Sequence, residues 1–276
     1  MPSRLPDDRD ITPALAAQMA AAQIYDDLFV PAEFQAWTMR VTAAAHITTG
    51  QRVLDVACGT GVLAREAARR VGPTGSVAGI DLDPGMLAVA ARHTRAIDWR
   101  QGDATALPFA DGTFDAVVSQ FGLMFFPDRE RALREMWRVA APGGRMAVAV
   151  WDTLEHTPAY AAFVALLDEV AGAAAAHALR APFALGDRDE LAALFERAGL
   201  TGAHIATHHG TAQFPGLRPM IEADLRGWLP VAGVVLSEDQ IQRVHDQAHA
   251  VLGRYVTADG AVVFDSPAHI VTVSKP

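Results

Sequence analysis

The stretch VLDVACGTGVLA, residues 53–64, spaces its glycines so that a backbone turn can come close to a small ligand. Read from Gly59 it is G-x-G-x-x-A, the glycine pattern of a dinucleotide site, and Asp81 follows at about the distance of a ribose-binding acid. Two chemistries fit that much: hydride transfer with a nicotinamide dinucleotide, or methyl transfer from the sulfonium of S-adenosylmethionine. The glycines alone do not choose between them.

The elements that position this turn read as alternating strands and helices. From about Gln51 to Trp151 the runs RVLDVA, SVAGID, IDWRQGD, FDAVVSQ and RMAVAVW are strand-like. Helices are expected after Thr60, after Asp83 with Pro84 at the first helical position, and from Asp128 through Val139. The clusters GPTG, ADGT and APGG punctuate them, the last ending a helix before the fifth strand. This is the pattern of a doubly wound α/β core. Residues 12–47 read as one or two helices, with Pro31 starting the second and Tyr25, Phe29, Phe34 and Trp37 supplying aromatic bulk. Segments 158–179, 187–199 and 237–255 have helical periodicity, AHIATHHGTAQF reads as strand, and AVVFDSPAHIVTVSKP reads as more strand completing the sheet.

Ligands of open parallel sheets sit outside the carboxyl ends of the strands, so the residues at those ends carry the argument. They are Asp55 followed by the ACGTG turn, Asp81 in GIDLDPGML, GDA at 102–104, and Ser119 with Gln120. Asp55 can orient the turn and receive a cationic amino-acid group, whereas beside a pyrophosphate it would repel a second negative charge in a poorly solvated cleft. Asp81 offers two acceptors to a ribose diol, Leu82 and Met86 can pack on adenine, and Asp103 can accept from its exocyclic amine. An acidic rim suits a ligand with a sulfonium, an ammonium and no phosphate.

In this order and spacing, VLDVACGTG, GIDLDPGML, GDATALPFADGTFDAVVSQFGLMFFPD and LREMWRVAAPGGRMAVAVW resemble the class I S-adenosylmethionine-dependent methyltransferases. Within these they are similar to the small-molecule branch that includes the ubiquinone and menaquinone biosynthesis methyltransferases. The resemblance covers a little over a third of the chain, from about Gln51 to Trp151. It implies a Rossmann-like, mostly parallel seven-stranded sheet with N-terminal helices and a helical insertion after the fifth strand. It also implies that Asp55, Gly59 and Gly61 surround the methionine part and Asp81 binds the ribose, with Ala57, Leu82 and Met86 among the cofactor-binding residues. Asp103 and Ala104 then border the adenine, and Ser119 and Gln120 lie near the sulfonium and the acceptor. The family often uses an N-terminal aromatic as a lid, for which Tyr25 is the candidate. The division expected is a helical cap over 1–47, a cofactor-binding core over 48–151, and remaining strands with acceptor-side helical insertions over 152–276.

Plainer readings stand beside these. Asp81 could cap the following helix, as Asp83 does before Pro84, and Asp103 could close its own Asx turn. Cys58 has no motif-placed partner to activate it and is expected to be structural. His208 and His209 are adjacent, so on a strand they face opposite ways and make poor joint metal ligands; no metal site is expected. Of the aromatic groups, Phe121 and Trp151 lie nearest the strand tips and are the candidates for an apolar substrate pocket. His156, just after the fifth strand, is the best-placed histidine for a general base, its alternative being a solvated loop residue.

Composition narrows the partners. The chain has 276 residues, 51% of them hydrophobic, which is enough for a sizeable core. A net charge of −9 argues against a nucleic-acid footprint, one cysteine excludes an internal disulfide, and the N-terminus MPSRLPDDRD lacks the apolar core of a signal peptide. A cytoplasmic protein with no membrane span and a small-molecule methyl acceptor is expected, with a homodimer available through the helices outside the core. The function expected is methyl transfer by direct displacement from S-adenosylmethionine, giving S-adenosylhomocysteine, to a small apolar or aromatic acceptor. An NAD-dependent oxidoreductase and a non-catalytic S-adenosylmethionine-binding regulator are the alternatives.

Overall fold

The computed structural model describes residues 11–276; the signal-peptide reading of the first ten residues lies outside them. Five apolar runs form strands β1 (Arg52–Val56), β2 (Ser76–Asp81), β3 (Asp98–Gln101), β4 (Phe114–Gln120) and β5 (Ala140–Trp151). All five are parallel, and Val53, Leu54, Val117, Val118 and Val148 are fully buried, as strands covered on both faces require. Helices α3 (Val62–Val71), α4 (Pro84–His93) and α5 (Arg129–Val139) make the crossovers. The Asp83 carboxylate accepts from the Gly85 and Met86 amides to start α4 one residue before Pro84, and Asp128 caps α5 through the Arg131 amide.

Later in the chain come α6 (Pro158–Ala171), α7 (Ala173–Arg180), α8 (Arg188–Arg197), β6 (His204–His208) and β7 (Thr211–Phe214). They are followed by α9 (Leu217–Glu222), α10 (Leu229–Val231), α11 (Glu238–Leu252), β8 (Val262–Asp265) and β9 (Ala268–Ser274). The main sheet runs β3-β2-β1-β4-β5-β9-β6, with β9 antiparallel to both neighbours. It is the expected α/β, doubly wound, mostly parallel seven-stranded sheet. Strand order reverses between β1 and β4, which opens a cleft at their carboxyl ends.

Four local expectations need correction. Pro31 does not start a helix: α1 (Pro13–Ile24) runs into α2 (Gln35–Ala44) through a π-helical stretch, Tyr25–Phe34, with Pro31 inside it. Proline has no N–H to donate and its ring crowds the preceding turn, and widening the helix accommodates both. APGG does not merely end α5; it opens β5, where Ala140 pairs with Phe114 across a register shift and Gly143 takes φ +75°. AHIATHHGTAQF is two strands in two sheets. At its corner Gly210 packs so closely under Trp37 and the Ser266 carbonyl that a side chain would not fit. Of the C-terminal run only β9 joins the main sheet, while β8 pairs with β7 in a separate antiparallel pair. The helical segment over 217–231 was not expected, because Pro219 and Pro230 break its pattern.

Candidate functional site

A cavity of about 1020 Å³ opens at the carboxyl ends of β1, β2, β3 and β4. Its floor is the turn after β1. Ala57 there takes φ +56° and Gly59 φ +54°, left-handed conformations that reverse the chain into α3. A side-chain carbon on Gly59 would meet nothing within 4 Å, so this glycine leaves space beside the cavity it lines. Gly61 differs. At φ +82° it presses against the Trp99 indole, and it does not line the cavity. Its lack of a side chain serves helix-to-sheet packing rather than ligand approach, which corrects its expected role.

Two acids dominate the cavity's polar wall. Asp55 is 1% exposed and neither carboxylate oxygen has a hydrogen-bond partner among the described residues. Burial pushes its carboxyl well above the usual range, opposed by the nearby Ala64 amide, which does not reach hydrogen-bond geometry, and reinforced by the Asp81 charge. Asp81 accepts from the Gly59 amide at 2.8 Å with Oδ2 and from the Asp83 amide at 2.9 Å with Oδ1, and burial raises its carboxyl to about 6. Each Asp81 oxygen keeps a lone pair free, since a carboxylate oxygen accepts twice. Asp81 thus braces the glycine turn while still facing the cavity, and it is Asp83 that caps α4.

Leu82, Met86 and Ala104 line the cavity beside Asp81 as apolar walls. Asp103 lines it too. Its Oδ1 accepts from the Thr105 amide at 2.8 Å, so the Asx turn and a cavity-facing position coexist. On the opposite side Gln120 donates from Nε2 to the Phe34 carbonyl at 3.1 Å and leaves Oε1 buried without a partner. Tyr25 lines the cavity from the π-helical stretch, stacked on Phe34 at 5.1 Å, and its phenol is raised by burial first and then by the Asp81, Glu33 and Asp26 charges.

The structure does not bring every expected residue to the cavity. Ser119 is fully buried with its Oγ under Gly122, because alternation along β4 turns it away from the side that Gln120 occupies. Phe121, at φ +57°, lines the cavity and stacks on Trp151 with centroids 3.6 Å apart and planes within 5°. A bulky residue in that backbone region is strained and is held there by packing. Trp151 is outside the main cavity and borders a neighbouring one. His156 lines neither: its side chain is 64% exposed and its Nδ1 pairs with Asp152 at 3.0 Å. That hydrogen bond, followed by the Asp152 charge, raises the imidazole above its ordinary value. His156 therefore belongs to the loop after β5, where buried Asp152 also meets His269 at 3.3 Å, and the solvated reading describes it better.

Sequence reasoning missed two acids, a histidine and Arg129, the last at the start of α5 and lining the main cavity. The histidine that lines the main cavity is His177, on α7. The acids, Glu33 and Asp224, border the neighbouring cavity of about 50 Å³, which shares the walls Tyr25, Phe34, Phe121, Phe125 and Trp228 with the large one. Glu33, in AEFQAW, falls in a stretch expected to be helical and Asp224, in IEADLRGW, in one for which no element was expected, and only the fold buries them together. Among the described residues no group of acids, histidines and cysteine could hold a metal ion, and no helix is long and apolar enough to cross a membrane.

Comparison with known proteins agrees with this geometry. The family described as a methyltransferase domain matches residues 54–148, the span from β1 into β5. A 2-phytyl-1,4-naphtoquinone methyltransferase from Thermosynechococcus vestitus is 41% identical over 133 residues, which is 46% of this chain and 59% of that protein. A demethylmenaquinone methyltransferase from Staphylococcus carnosus is 34% identical over 192 residues, 64% of this chain and 79% of that protein. The chain spans about half to four fifths of the length of the curated relatives it matches. Among solved structures, phosphoethanolamine N-methyltransferase 2 from Haemonchus contortus in complex with S-adenosyl-L-methionine superposes with a TM-score of 0.58 at 18% identity. That match covers 95% of this chain and 57% of that one. The YcgJ protein of Bacillus subtilis gives 0.56 at 18%, covering 87% and 98%. These two likenesses establish the fold, and the quinone-methyltransferase relatives extend it to the sequence: the chain belongs to the class I S-adenosylmethionine-dependent methyltransferases and resembles their ubiquinone and menaquinone branch.

Proposed function

We propose that this chain binds S-adenosylmethionine in the large cavity and transfers its methyl group to a small, apolar or aromatic acceptor. The observation that carries the reading is Asp55, a buried carboxylate with no hydrogen-bond partner among the described residues, lining a cavity whose second wall is Asp81. A buried carboxylate left unpaired is costly, and a ligand ammonium would offset that cost, whereas a pyrophosphate would add to it. The oxidoreductase alternative therefore loses its support, and the relatives named above give the non-catalytic one none.

When bound, the cofactor supplies an electrophilic methyl on a sulfonium for direct displacement. The residues of this chain supply position. In this reading Asp55 holds the ammonium end, Asp81 the ribose hydroxyls, and Leu82, Met86 and Ala104 the faces of the adenine with Asp103 at its edge. Gln120 stands near the transferred group, and Tyr25 and Phe121 close the acceptor side against water. Alignment and desolvation of this kind supply much of the acceleration of a direct displacement. The quinone substrates of the relatives support an aromatic acceptor. The helical cap over 1–47, the binding core over 48–151 and the acceptor-side remainder over 152–276 are parts of the same proposal. So are a cytoplasmic setting, the exclusion of nucleic acid supported by the net charge of −9, and a homodimer whose mass light scattering would read.

Isothermal titration with S-adenosylhomocysteine and, separately, with NADH tests the reading. Saturable binding of the first alone is expected; binding of NADH alone would overturn it. His156→Ala is expected to leave turnover of any accepted substrate and the unfolding midpoint unchanged, because the side chain is exposed and lines neither cavity. A tenfold drop in kcat with the fold intact would restore His156 as a base.

A further inference from the structure

The small cavity has an unusual wall. Rings surround it, among them Tyr25, Phe34, Phe121, Trp151 and Trp228, and among the described residues its charged lining is two acids, Glu33 and Asp224, with no Arg, Lys or His. Glu33 is 5% exposed; its Oε1 accepts from the Ser266 hydroxyl at 3.1 Å and its Oε2 from the Tyr160 phenol at 3.2 Å. Asp224 is 1% exposed and its Oδ2 has no partner among the described residues. Buried acids are ordinarily paired with a cation or fully hydrogen-bonded, and here a carboxylate oxygen stands unpaired at the edge of an open space. All but two of the lining residues lie outside the matched methyltransferase segment, the exceptions being Phe121 and Phe125. The cavity belongs to the part of the chain that would choose the acceptor.

We propose that this cavity is a subsite for a protonated amine carried by the methyl acceptor, with Glu33 and Asp224 as its counter-ions and the surrounding rings as its cage. Aromatic faces attract a cation through their quadrupoles, and carboxylates in such surroundings form strong charge-assisted hydrogen bonds to N–H donors. The volume of about 50 Å³ fits the size of such a head group: it has room for a few water-sized groups, while the acceptor's apolar body stays in the adjoining large cavity. The identification of the ligand as an acceptor rests on the methyltransferase reading, but the preference for a cation does not.

Without a ligand the pair holds its protons to higher pH than ordinary carboxylates do. Burial, opposed by the hydrogen bonds from Ser266 and Tyr160, pushes Glu33 up to about 7. Burial, followed by the Glu33 charge, pushes Asp224 well above the usual carboxylate range. The other titratable groups on the cavity wall are the Tyr25 phenol of the π-helical stretch and the Tyr160 phenol of α6, both raised and therefore neutral near pH 7. An arriving ammonium favours the ionised pair, so binding strengthens as pH rises from 6 to 8 while the amine stays protonated.

The test uses benzylamine, which is an ammonium at pH 8, and its neutral isostere benzyl alcohol, titrated into the full-length protein with and without saturating S-adenosylhomocysteine. Benzylamine is expected to bind about tenfold more tightly than the alcohol, with a larger margin at pH 8 than at pH 6. That margin should collapse in both Asp224→Asn and Glu33→Gln, whose S-adenosylhomocysteine affinity reports that they fold. Benzyl alcohol binding as well as the amine in the unmodified protein would overturn the proposal in favour of hydroxyl recognition, and binding of neither would overturn it outright. Failure of S-adenosylhomocysteine to bind would count against the methyltransferase reading alone, since the amine preference is also measured without it.

Discussion

Asp55→Asn is expected to stabilise the ligand-free protein at pH 8 while weakening S-adenosylhomocysteine binding by about 100-fold, a pairing of signs that a purely structural residue would not produce. The stability half follows from burial. The folded state holds the Asp55 proton at a pH where the unfolded chain has released it, because the folded carboxyl is raised well above its ordinary value. The corresponding stability is fully present below the unfolded value, near pH 4, and is lost as pH rises through the folded value. Asparagine has no such proton to lose. Urea unfolding at pH 5 and pH 8 should show the parent losing more stability over this interval than the variant; Asp81 and Glu33, raised to about 6 and about 7, contribute to the slope in both. The binding half follows from geometry, since the unpaired carboxylate lines the cavity and an amide cannot be the counter-ion of an ammonium. Unchanged binding together with an unchanged pH slope would remove Asp55 from the site.

How far the site was legible depended on how local each signal was. Asp55, Gly59, Asp81 and Asp103 sit at strand ends, where hydrophobic runs mark the strand and the next glycine or proline marks the turn, so position in sequence translates directly into position at the cleft. Ser119 failed by one residue: the end of β4 was correctly placed, but alternation sends Gln120 toward the cavity and Ser119 beneath it. Gly61 sits in the right turn, yet its reason for being glycine is Trp99, a residue 38 positions later on β3. Glu33 and Asp224 were the least legible. They are separated by 191 positions, lie on π-helical stretches that a 3.6-residue period does not describe, and carry charge that ordinarily marks a solvated face. Pro31 carries the same lesson in miniature, since a helix that widens can pass a proline that an α-helix would end on.

The two glycines of the turn should separate binding from folding. Gly61→Val is expected to unfold the protein or cost roughly 2–5 kcal/mol, combining overpacking against a ring with a left-handed conformation imposed on a β-branched residue. Trp99 has little room to yield. Its Nε1 donates to the Thr94 carbonyl at 2.9 Å, and a carbon on Gly79 would lie 2.5 Å from Cζ3, so the indole is packed against the bare backbones of two glycines. Gly59→Val shares the backbone penalty, at φ +54°, but meets no atom within 4 Å. It should therefore remain folded, at a cost of about 1–2 kcal/mol, while its side chain enters the cofactor cavity and abolishes S-adenosylhomocysteine binding. Combining Gly61→Val with Trp99→Ala should cost less than the sum of the two, because the second change removes the ring that the first collides with. Additive costs in that cycle, or a Gly61→Val protein as stable as its parent, would show that Trp99 does not fix this glycine. Intact cofactor binding by Gly59→Val would show that the turn faces away from the ligand.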